Sequence, residues 1–197
     1  MKARWFVPAL LLATITAPAQ AQFAIELTVG PNWSSISAVP ADAPAGSTKE
    51  SDVGYFLGGR IRFGHLFYIA PGLDYQYQSF KLNSTSTSPE LNDNIGISSF
   101  MVPLEVGVNL DAKILAVQLG VAGTVAFNSS VSDNDFDSWA NKDNTNNTRW
   151  GWMLNAGARI LMLQLNLQYQ ADFTDTFKDD PTGAKLSQFR IGLGIGF

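Results

Sequence analysis

After residue 22 the chain alternates large apolar residues with polar ones, and the alternation falls into eight stretches. In a β-strand successive side chains point to opposite faces, so each stretch predicts a strand with one apolar and one polar face. FAIELTVGPNW sets Phe23, Ile25, Leu27, Val29 and Trp33 against Glu26, Thr28 and Asn32. VGYFLGGRIRF sets Val53, Tyr55, Leu57, Ile61 and Phe63 against Gly58, Arg60 and Arg62. The third stretch, from Leu66 to about Phe80, sets Phe67, Ile69, Leu73, Tyr75 and Tyr77 against Asp74, Gln76 and Gln78. In SFMVPLEVGVNL the apolar face runs from Phe100 to Leu110 opposite Met101, Pro103, Glu105 and Asn109. ILAVQLGVAGTVAF carries Leu115, Val117, Leu119, Val121, Val125 and Phe127 on one face and Gln118 and Thr124 on the other. RWGWMLNAGARI opposes Trp150, Trp152, Leu154 and Ile160 to Arg149, Asn155 and Arg159. LQLNLQYQADF opposes Leu163, Leu165, Leu167, Tyr169 and Phe173 to Gln164, Asn166, Gln168, Gln170 and Asp172. The chain stops on FRIGLGIGF, with Phe189, Ile191, Leu193, Ile195 and Phe197 against Arg190 and three glycines.

The connections are of two kinds. Those after the second, fourth and sixth stretches are short, around Gly64-His65, Asp111-Ala112-Lys113 and Leu161-Met162. The others are long and polar, at 35–52, 81–94, 128–147 and 174–185. An even number of strands with short turns at one end and long loops at the other is the pattern of an outer-membrane barrel. The expected fold is therefore all-β: an eight-stranded, antiparallel, up-and-down transmembrane β-barrel.

The charges say which face meets lipid. The polar face carries Glu26, Arg60, Arg62, Asp74, Glu105, Arg149, Arg159, Asp172 and Arg190, and the apolar face carries no charge. Slipping the register to turn the arginines outward would cost about 2–4 kcal/mol each near the midplane and less toward the edges, on the order of 10 kcal/mol in all. The aromatic residues of the apolar face gather toward the two ends, as amphipathic rings do at membrane interfaces. A soluble eight-stranded barrel has the same alternation, but would put those nine charges outside and the aromatic residues within.

Residues 1–21, MKARWFVPALLLATITAPAQA, pair Lys2 and Arg4 with a short apolar run and a small-residue site, so they are expected to be a cleaved secretory signal. The barrel domain is then 22–197, with a net charge of −6 once Lys2 and Arg4 are taken from 13 Lys+Arg against 17 Asp+Glu. That balance argues against nucleic acid as a partner. There is no cysteine, hence no disulfide and no thiolate chemistry.

A barrel of eight strands has an interior that side chains fill, so the charged face is expected to pair as a polar plug. The alternative is a narrow water-filled pore that Arg60, Arg62 and Arg190 bias toward anions. Catalysis is not expected: the one histidine, His65, falls in a short turn, away from the loops where a Ser-His or Asp-His pair would work. Asp133, Asp135 and Asp137 begin a calcium-loop spacing, but Ser138 stands at the turn glycine and Asn144 at the bidentate glutamate, so no metal or other cofactor is expected.

The chain resembles the small outer-membrane β-barrels of the porin-like family, with an architecture similar to the OmpA and OmpX barrels. SFMVPLEVGVNL, with Pro103 in a central strand, and the terminal FRIGLGIGF carry the resemblance. It implies location in the bacterial outer membrane. It also implies that the last strand, from Phe189 to Phe197, is the signal read by the barrel-assembly machinery. The expected protein is a monomer embedded in outer-membrane lipid. Its expected role is structural or surface-interacting, with the loops 35–52, 81–94, 128–147 and 174–185 open to an extracellular ligand. They hold 12 Asp+Glu against five Lys.

Overall fold

Strand pairing follows the alternation. In a computed structural model the described residues are 23–39, 47–84, 91–112, 114–131, 145–178 and 181–197. They form β1 (Phe23–Ile36), β2 (Ser47–Gly64), β3 (Phe67–Ser84), β4 (Leu91–Ala112), β5 (Leu115–Val131), β6 (Thr148–Ile160), β7 (Leu163–Asp172) and β8 (Leu186–Gly196). Each strand pairs antiparallel with its sequence neighbour, and β8 returns to β1 to close the barrel. Closure leaves the sheet without an edge, which is what a strand structure in hydrocarbon would require. The seam is finished by Phe197, whose amide donates to the Ile25 carbonyl at 2.9 Å and whose carbonyl accepts from the Ile25 amide at 3.0 Å.

Several strands outrun the sequence expectation. Residues 47–52 belong to β2, 81–84 to β3, 91–94 to β4 and 128–131 to β5, all expected in loops. Polar faces on both sides hid them, because alternation is visible only where one face is apolar. β2 to β5 are 17–22 residues long and β6 to β8 only 10–13, so one side of the barrel stands taller at the long-loop end. The expected signal segment and the calcium-like spacing at 133–144 lie outside the described residues.

Outside, the large apolar residues are exposed, from Phe23, Phe63 and Phe67 at the short-turn end to Tyr55, Phe100, Phe127 and Trp150 at the other. On most strands this band is about ten residues tall, which at 3.3 Å per residue and a tilt near 40° is about 25 Å, the height of an outer-membrane apolar belt. Rings at its loop side touch one another: Tyr55 on Tyr77 at 5.5 Å, Tyr75 on Phe100 at 5.3 Å and Trp152 on Tyr169 at 5.7 Å. No described helix is long and apolar enough to cross a membrane.

Inside, glycine makes room for bulk. A Cβ on Gly58 would stand 2.2 Å from a carboxylate oxygen of Asp74, and one on Gly120 would meet Glu105 at 2.4 Å and the Tyr68 hydroxyl at 2.7 Å. The glycine-rich polar faces thus accommodate the large charged side chains opposite. Gly64, at φ 115°, makes the β2–β3 turn, where a side chain would strike the Phe67 carbonyl.

Candidate functional site

Among the described residues, chemistry-bearing side chains converge in the interior, where they stack in tiers along the axis. At the short-turn mouth Asp111 lies 3.5 Å from Arg159 and 3.6 Å from His65, and it accepts a hydrogen bond from the Asn109 amide at 2.7 Å. The sequence places Asp111 in a turn. It closes β4 instead, on the same face as Glu105 and Asn109, and that parity was legible. Next to it Arg62 pairs with Glu26, both buried, and its guanidinium lies over the Tyr68 ring at 5.0 Å.

Glu105 organises the next tier. It takes Arg60 at 3.0 Å, the Tyr68 hydroxyl at 2.5 Å and the Asn155 amide at 3.0 Å. Arg60 also reaches Asp74 at 3.8 Å, while Arg190 holds the same Asp74 oxygen at 2.9 Å. Arg190 is fully buried, donates to Gln170 at 2.8 Å and to Gln76, and packs its guanidinium 4.9 Å from the Phe56 ring centre. Toward the loops Arg149, also fully buried, pairs with Asp172 at 2.6 Å and donates to Gln78 at 2.7 Å and to Asn128 at 3.2 Å. Five guanidiniums therefore face five carboxylates, counting Asp111. A lone buried charge would cost several kcal/mol, and this pairing with added hydrogen bonds is what makes the tiers tolerable.

Above Arg149 the interior changes character. Ile36, Phe80, Ile95, Ile97 and Leu186 continue the inward-facing positions of Glu26, Asp74, Glu105 and Arg190, yet they are apolar and buried. Phe177 and Ala184 pack against them from the connection after β7. That connection is tied down by its backbone: Asn146 donates to the Thr176 carbonyl at 3.0 Å, Thr176 to Ala184 at 2.7 Å and Ser37 to Lys185 at 2.8 Å. Sequence reasoning expected a polar interior throughout and missed this cap. The signal was present in the parity of Ile36 and Phe80, beyond the last polar residue of each face.

Beyond the aromatic band, at the long-loop rim, Asp52 accepts from the Ser79 hydroxyl at 2.7 Å and lies 3.5 Å from Lys81. Burial works against its charge, but Ser79, the Val53 amide and Lys81 outweigh that and hold the carboxyl below its ordinary range. Among the described residues no three His, Asp or Glu are grouped to hold a metal ion. Among the described residues the interior geometry can fill, pair and seal. Phe189, Ile191, Leu193 and Ile195 lie in β8 on its outward face, with Phe197 directly after it.

The model of the outer membrane protein beta-barrel domain family matches residues 7–197. No curated protein matches the chain. Among solved structures, Neisserial surface protein A is similar at 11% identity over 90% of this chain and 98% of that one, with a TM-score of 0.51. The attachment invasion locus protein Ail of Yersinia pestis, solved with the heparin analogue sucrose octasulfate, shares 11% identity over 89% and 99%, TM-score 0.45. The translocator domain of the autotransporter NalP of Neisseria meningitidis shares 9% over 96% and 93%, TM-score 0.39.

Proposed function

The chain belongs to this family of outer-membrane β-barrel domains, and from that premise we propose that it is a closed, non-enzymatic scaffold whose long loops meet extracellular partners. The observation that carries the proposal is the double seal: the Arg190–Asp74 and Arg149–Asp172 tiers block the bore, and the Ile36–Phe80–Phe177 cluster caps it. Ions would have to cross both a packed charge lattice and an apolar stopper. The acidic balance of the long connections favours cationic or hydrogen-bond-donating partners over anionic ones. In the same proposal residues 1–21 are removed on export, the protein is a monomer in outer-membrane lipid, and the strand ending in Phe197 is read by the barrel-assembly machinery.

A second, narrower reading has its own support. Apart from Thr176 Oγ1 in the cap, the buried polar atoms that lack both a hydrogen bond and an ion pair lie toward the short turns: Arg60 Nε, Arg62 Nε, Asn109 Oδ1, Gln118 Nε2 and Gln164 Oε1. Such atoms call for water, which favours a wet recess that enters from the short-turn side and ends blind below Arg190.

Single-channel recording of refolded protein in a planar bilayer tests the closed bore that both readings share. Silence is expected from protein shown to be folded. Discrete openings whose ion preference shifts in Arg60→Gln and Arg190→Gln variants would replace the scaffold with a pore. Deleting the long connections one at a time should abolish attachment of whole cells to a partner while leaving the barrel folded. If no deletion alters attachment, the surface role fails.

A further inference from the structure

The short turns are made of the wrong residues for water. Turns that face solvent favour Gly, Asn, Asp and Ser, whose backbone and side chains suit the geometry. Here the tips are Leu66, Ile114, Leu161 and Met162, all exposed, with Ile114 at 64% and Leu161 at 73%. Leu161 is moreover the one non-glycine among the described residues with a positive φ, at 56°. A bulky side chain in that region is strained where Asn or Gly would be relaxed.

These tips form a rim at one end of the barrel, and two of the three turns touch. The Leu161 amide donates to the Ile114 carbonyl at 3.2 Å, so the β4–β5 and β6–β7 turns touch; Gly196 donates to Met162 at 2.9 Å, and Asn109 to Leu66 at 2.8 Å. Next to the tips in sequence, Phe63, Phe67, Leu115 and Leu163 are exposed at the edge of the outward apolar band. The polar mouth groups Asp111, Arg159 and His65 sit at this end among the tips.

We infer that this rim is submerged in the leaflet it meets, with phospholipid acyl chains and glycerol esters covering Leu66, Ile114, Leu161 and Met162. The inference rests on the barrel's outer-membrane placement and adds its depth: the apolar belt ends beyond the turns, not before them. Continuity with the lipid-covered flank argues for lipid as the occupant.

The chain has no cysteine, so single introduced cysteines can be spin-labelled without background. Ile114→Cys and Leu161→Cys would be compared with Leu119→Cys on the belt and Ser129→Cys at the exposed long-loop end. All would be refolded into phosphatidylethanolamine–phosphatidylglycerol vesicles. The expected result is that both rim labels lose broadening by a water-soluble nickel chelate and respond to oxygen, as Leu119→Cys does. Nickel broadening equal to that of Ser129→Cys would overturn the inference. So would protection seen only in intact envelopes, which would point to a protein on the rim. If Leu119→Cys itself is broadened, the membrane placement fails and not the depth alone. Leu161→Asn supplies an independent readout: it relaxes the backbone, so a water-facing turn would raise the urea midpoint in vesicles. The expected shift is downward, because an amide replaces a lipid-covered side chain.

Discussion

Asp74 shows how much rests on one side chain. Its Oδ2 is 2.9 Å from Arg190 and 3.8 Å from Arg60, and both guanidiniums are buried. Arginine cannot shed its proton, so neutralising the acid leaves uncompensated cations. Asp74→Asn should therefore cost roughly 3–5 kcal/mol of unfolding free energy in urea titrations. Adding Arg190→Met should return part of that loss, and strict additivity would show that the two do not act together. At this scale the sequence was informative about side and poor about partners. Parity placed Asp74, Glu105 and Arg190 on one face, but Tyr68 and Asn155 as partners of Glu105 depend on cross-barrel distances that no single strand contains. Tyr68 shares its parity with Asp74 and sits between Phe67 and Ile69 on the opposite face, so its neighbours disguised it.

The strands and connections divide the same way. The eight membrane-crossing stretches were legible because lipid on one side and packed polar groups on the other impose a strict alternation. Their extensions at the long-loop end were not, since solvent outside removes the apolar signal. The connection after β7 was read as a free polar loop, yet it carries Phe177 into the mouth and anchors at Ser37 and Asn146. One aromatic among the twelve residues 174–185 gives periodicity nothing to detect. Phe177→Ala removes the larger of the two cap residues, Phe177 and Ala184, that no strand supplies. For fully packed sites such truncations cost about 3–5 kcal/mol, and here the loss should fall on local opening of the connection. Hydrogen exchange should accelerate at 174–186 while β3 to β5 keep their protection. Uniform acceleration would mean that the cap is part of the global core.

For the whole molecule the decisive event is closure of β8 on β1. The Phe197 backbone makes the last two hydrogen bonds of that seam with Ile25, so deleting Phe197 exposes two unpaired groups to hydrocarbon. Refolding into vesicles, followed by circular dichroism and protease resistance, should slow and leave a larger unfolded fraction. An unchanged rate would confine the residue to a role in recognition before insertion. Closure also fixes what the bore can become over generations. With five cations answered by five anions in interlocking tiers, a change at any one of them strands its partner. Inherited variation inside the bore should therefore arrive in couples, a lost arginine with a lost acid across the axis, while the outward leucines and valines drift one at a time.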